Sequence, residues 1–130
     1  MKSRDNLLRL KRFQVQDKTR QLAQIDMMIA EFEKMHEDLQ AQIHIEEEKA
    51  GITDTSHFAY PTFAVAVRQR QENILESVQE LKEKRVSAET ALEEAEADLA
   101  KALKLEQRDG GTGDSDMPRE DARDDSAMIG

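Results

Sequence analysis

The stretch Gly51-Ile52-Thr53-Asp54-Thr55-Ser56-His57 separates two long runs of helix-forming residues. Its reading decides whether this chain is one continuous helix or a pair. Glycine suits the position just past a helix C-terminus, because it takes a left-handed backbone with no Cβ to clash. Asp54, Thr55 and Ser56 suit turns and N-caps, since their short polar side chains bond nearby backbone N–H groups. The chain is therefore expected to reverse across a connector of about residues 51–60. Pro61 fits the first turn of a following helix, where a missing N–H breaks no bond, and Ser56 offers a cap for one extra turn ahead of it.

On the N-terminal side, a 3-4 spacing runs through Leu8, Lys11, Val15, Lys18, Leu22, Ile25, Ile29, Phe32, His36, Leu39, Ile43 and Glu46. All but Lys11, Lys18, His36 and Glu46 are apolar, which predicts an amphipathic helix over about residues 3–50 whose seam needs a partner helix. On the other side the series is Tyr60, Ala64, Val67, Gln71, Ile74, Val78, Leu81, Arg85, Ala88, Leu92, Ala95, Leu99, Ala102 and Glu106. Only Gln71, Arg85 and Glu106 are polar, so a second helix is expected over about residues 61–108. Its distal half alternates Ala with Leu, burying little surface, and should be the looser end. At ~1.5 Å per residue each helix would be roughly 65–70 Å long.

Charge sets the direction of packing. Reversal at the connector puts residue n beside roughly 110 − n, so the basic residues among 2–20 meet Glu89, Glu93, Glu94, Glu96 and Asp98, while Glu46, Glu47 and Glu48 approach Arg68 and Arg70. Each exposed pair contributes only ~0.5 kcal/mol, but together they disfavour the wrong orientation. The predicted fold is all-α: a long two-helix antiparallel coiled-coil hairpin on residues 1–108, followed by a disordered acidic tail on 109–130 that is rich in glycine and acid. Such a hairpin has little stability to spare and gains from weak dimerisation or docking.

Composition excludes several functions. With 36% charged and 4% aromatic residues, the chain lacks material for an ordinary globular core. It has no cysteine, which removes disulfides and thiolate metal sites and makes a reducing cytoplasm the default. No apolar run approaches the ~20 residues of a membrane span, nor is there a signal-peptide core behind Lys2 and Arg4. A net charge of −9 argues against nucleic acid as a partner. The charge is uneven: Lys2, Arg4, Arg9, Lys11, Arg12, Lys18 and Arg20 outnumber Asp5 and Asp17 at the start, whereas acids outnumber Arg119 and Arg123 after residue 108.

No site for chemistry emerges. The window from Asp109 to Glu120 has acids at its ends like a calcium loop, but Gly111 and Gly113 stand where ligands belong and Asp114 where glycine belongs. The Gly-Gly-Thr-Gly segment lacks the lysine and the strand-to-helix setting of a phosphate loop. His36, His44 and His57 differ in helical phase and make no metal triad; His36, on the seam, reads as a polar residue fixing register. Neither a catalytic site, nor a cofactor, nor a metal is expected. Two features point to partners. Basic residues beside Leu7, Leu8, Leu10 and Phe13 read either as a solvated face or as a docking surface for an acidic partner or anionic lipid. Phe58, Tyr60 and Phe63 read either as a plug closing the turn or as an exposed patch.

The segments Leu7-Leu8-Arg9-Leu10-Lys11-Arg12-Phe13-Gln14-Val15, Gln21-Leu22-Ala23-Gln24-Ile25 and His57-Phe58-Ala59-Tyr60-Pro61, with Arg68-Gln69-Arg70, resemble the flagellar export protein FliJ family in its alphaproteobacterial form. The resemblance spans about residues 1–108 and implies a cytoplasmic antiparallel coiled coil peripheral to the inner membrane at the flagellar base. It implies a stalk role, one end engaging the ring of the export ATPase and the body contacting the cytoplasmic domain of the export gate protein and export chaperones. Carried onto this chain, the ATPase contacts would be Arg4, Leu8, Arg9, Arg12, Phe13, Leu99 and Leu103. The gate contacts would be Phe58, Tyr60, Phe63 and Val67. A generic self-associating coiled-coil scaffold and a peripheral membrane-binding protein remain alternatives.

Overall fold

The computed structural model describes the backbone of residues 2–113 and the side chains of residues 3–108. Among these residues there are two helices and no strand, α1 (Lys2–Ala50) and α2 (Thr62–Gly113), packed as a helical hairpin. Every expected seam position with a described side chain is buried or half-buried, from Leu8 through Glu46 on α1 and from Tyr60, just ahead of α2, through Glu106. The heptad spacing thus reports the buried stripe faithfully.

Contacts divide the chain into two compact units. In the unit built from residues 24–85, Ile29, Leu39, Ile43, Val67, Ile74, Val78 and Leu81 form one apolar cluster, joined by the partly buried Ile25 and Phe32. Ile43 is wholly buried and Val67 almost so. Asp26 pairs with Arg85 and Glu33 with Lys82 at 3.9 Å across this unit. In the unit built from residues 2–23 and 86–113, the buried apolar side chains are Leu8, Ala95 and Ala102, and Lys11 reaches Asp98 at 3.9 Å. The short side chains on α2 explain the thinner core, as the Ala/Leu alternation leads one to expect. These pairs follow the expected rule that n faces roughly 110 − n.

The reversal is built by hydrogen bonds. Gly51 adopts φ 70° and donates its N–H to the Glu47 carbonyl at 2.8 Å and to the Glu48 carbonyl at 3.2 Å, while the Ile52 N–H donates to Glu47 at 3.2 Å. This is a Schellman cap, and it satisfies carbonyls that the end of α1 leaves without helical partners. Asp54 Oδ1 then accepts from the Ser56 N–H and hydroxyl at 2.9 and 2.7 Å, and the Asp54 carbonyl accepts from the His57 N–H at 3.1 Å. Ser56 is spent on this tight turn and caps no additional helical turn.

Three expectations need adjustment. α2 begins at Thr62, so Pro61 stands just ahead of the helix and accepts the Val65 N–H at 3.1 Å. Helical backbone also continues beyond residue 108 to Gly113, because an established helix gains one hydrogen bond per added residue even through poor formers. Residues 114–130 of the expected acidic tail lie outside the described residues. His36 is half-buried on the seam, but the side chain that bonds across the helices beside it is the buried Gln71. Its Nε2 donates to Gln40 Oε1 at 2.9 Å and to the His36 carbonyl at 3.3 Å.

Ile43→Ala is expected to destabilise the hairpin by about 2–5 kcal/mol, because it empties a site with no solvent access. Phe63→Ala, at a half-exposed position, should change stability by less than about 1 kcal/mol. Urea unfolding followed by circular dichroism measures both, and equal effects would contradict the assigned seam.

Candidate functional site

The turn divides the aromatic segment by function. The Tyr60 N–H donates to the His57 carbonyl at 3.0 Å and the Ala59 N–H to His57 Nδ1 at 3.0 Å, a tight bend that turns Tyr60 inward and leaves Phe58 at its apex. Tyr60 is 7% exposed and Phe58 95%. Phe58 stacks on the His57 ring, with centroids 4.8 Å apart, and Phe63 is half-exposed. Plug and patch are therefore both present, in different residues.

Beneath the turn lies a polar clamp. A tyrosine hydroxyl taken out of water needs a partner, and Tyr60 donates to Glu47 Oε2 at 2.7 Å. Arg68 completes the set, with Nε donating to the Tyr60 hydroxyl and its terminal nitrogen to Glu47 Oε2, both at 2.9 Å. Hydrogen bonds from Tyr60 first and Arg68 second hold the Glu47 carboxyl below its ordinary value of 4.5, against an opposing effect of burial. The Tyr60 and Glu47 bonds likewise raise the Arg68 guanidinium. Glu47 serves the turn twice, through its carbonyl in the helix cap and its carboxylate in the clamp. Asp54 is also held low, by the Ser56 hydroxyl and then its N–H.

The residues proposed from sequence to meet a gate protein thus separate. Phe58 and Phe63 are on the surface, whereas Tyr60 and Val67 are core and cannot contact a partner without opening the hairpin. Those two are corrected to structural residues, since both lie on the heptad seam. Glu47 was legible only as one of three adjacent acids near Arg68. Its burial depends on the bend that aims Tyr60 at it, and no spacing rule encodes that.

The residues proposed to meet an ATPase all fall in the other unit. Arg9 is exposed and Phe13 56% exposed; Arg4, Arg12, Leu99 and Leu103 are half-buried; Leu8 is buried and supports the rest from within. Leu7, Leu10 and Phe13, spaced by three, form an exposed stripe beside Arg9, which stands one turn before Phe13.

Among the described residues, no group of three or more acidic, histidine or cysteine side chains is placed to hold a metal ion, and no helix is long and apolar enough to cross a membrane. Comparison of the chain with protein-family models, curated proteins and solved structures finds no match in any of the three.

The clamp predicts acid sensitivity. A carboxyl held low in the folded state stabilises fully above its unfolded value and loses that contribution as pH falls through the folded one. The stability difference between the wild type and Glu47→Gln should be constant above about pH 5.5 and shrink progressively below 4.5. Thermal melts across this range test it, and a difference that grows on acidification would contradict the clamp.

Proposed function

We propose that this chain is a non-enzymatic coiled-coil component of the flagellar type III export apparatus. It acts as a stalk or adaptor between the export ATPase ring and the cytoplasmic domain of the membrane export gate protein, and it assists export chaperones. The observation carrying this reading is a helical hairpin that leaves Arg9, Leu10 and Phe13 outward on its first turns, within one of the segments that resemble the export family. Nucleotide chemistry belongs to the partner in this reading, and location at the inner membrane follows from the partners.

The contacts divide accordingly. Arg4, Arg9, Arg12 and Phe13, backed by Leu8 and flanked by Leu99 and Leu103, engage the ATPase through charge and apolar area together. Phe58 and Phe63 engage the gate, because a phenylalanine so exposed at a turn is explained by a covering partner. The half-exposed Met28 and Met35, one heptad apart on α1, favour a rival reading in which the chain is a self-associating scaffold.

Capture of the export ATPase by immobilised protein should fall at least about tenfold in the Arg9→Glu, Arg12→Glu, Phe13→Ser variant and persist in Phe58→Ser. Undiminished capture by the triple variant would overturn the assignment. Light scattering after size exclusion should give a monomer or weak dimer, whereas a stable homo-oligomer would favour the scaffold.

A further inference from the structure

Charge and apolar area coincide on the outer face of the first turns of α1. Leu7, Leu10 and Phe13 are each roughly half-exposed beside the exposed Arg9, with Arg12 half-buried on the same turns. α2 ends at Gly113 in the same compact unit. The seventeen residues that follow carry Asp114, Asp116, Glu120, Asp121, Asp124 and Asp125 against only Arg119 and Arg123, and they include Met117, Met128 and Ile129. That is the complementary composition: acids for the arginines and apolar side chains for the leucine and phenylalanine stripe.

Reach agrees with composition. Since Lys11 pairs with Asp98, the Leu7 to Phe13 stripe lies level with about residues 97–103 of α2, some 15–24 Å back from Gly113 at ~1.5 Å per residue. A seventeen-residue chain spans about 21–25 Å as a random coil and about 60 Å fully extended. A tether whose root-mean-square span matches the gap gives a near-maximal local concentration, on the millimolar scale, so individually weak ion pairs suffice.

We propose that residues 114–130 fold back over the outer face of α1 around Leu7, Arg9, Leu10 and Phe13, masking it in the free protein. The acids pair with Arg9 and Arg12 while Met117, Met128 or Ile129 covers the apolar stripe. Any acidic partner of that face must displace the tail, so the chain regulates its own docking surface. The contact itself depends on no particular partner and is measurable in the isolated chain, whereas its regulatory consequence rests on the function proposed above.

A spin label on Ser126→Cys is unique, because the chain has no other cysteine. In the full-length isotope-labelled protein it should broaden the amide signals of residues 6–13 at least about twofold more than those of residues 66–76. It should cease to do so in about 0.5 M salt, where the screening length falls to a few ångströms. Broadening should likewise vanish when the six tail acids become Asn or Gln, and in Arg9→Glu, Phe13→Ser with helical circular dichroism retained. Uniform or absent broadening overturns the proposal. So does broadening that survives tail neutralisation, or that appears in a mixture of spin-labelled and isotope-labelled copies, which would make the contact intermolecular. Tail contact in a protein that captures no export ATPase would refute the proposed function while leaving this inference standing.

Discussion

Burial of a heptad-spaced apolar stripe against a second stripe of the same chain is the constraint on which this structure depends. Neither helix has a buried side to its seam alone, and isolated helices gain little from propensity in water. Reversal at Gly51 lets Ile43, Val67, Ile74 and Leu81 cover one another. The left-handed glycine, the double acceptance at the Glu47 carbonyl and the Asp54 turn are what the reversal requires of the backbone. An L residue with a side chain would be strained at Gly51 even though the space around it is open.

Polar groups then determine how the seam aligns. Apolar contacts tolerate sliding by a heptad, because one Leu or Val resembles the next. Gln71 does not, since its buried amide must find Gln40 and the His36 carbonyl or remain unsatisfied. The Glu47, Tyr60 and Arg68 clamp acts in the same way beside the turn, and the Asp26 to Arg85 pair adds a third fixed point. Register in this hairpin is specified by what it would cost to misplace a few polar side chains.

The same geometry sorts the remaining residues into scaffold and surface. Tyr60 and Phe58 are two positions apart, yet one bend buries the first and displays the second. On α1, Leu8 faces inward while Leu7, Arg9 and Leu10 face out. The outward set carries the proposed partner contacts and, in the masking proposal, the chain's own acidic end competes for it.

Periodicity, glycine and charge in the sequence were enough to determine two helices, the place of reversal, the antiparallel pairing and nearly every buried position. These properties are local or repeat every seven residues, so they can be read without coordinates. Tertiary structure alone decided that Glu47 is the buried acid among three neighbours, that Gln71 and not the His36 side chain links the helices, and that the aromatic segment is half plug and half patch. Each of these depends on the direction of a single side chain after the chain has turned, and that direction is set by hydrogen bonds between residues distant in sequence or by the φ of one glycine.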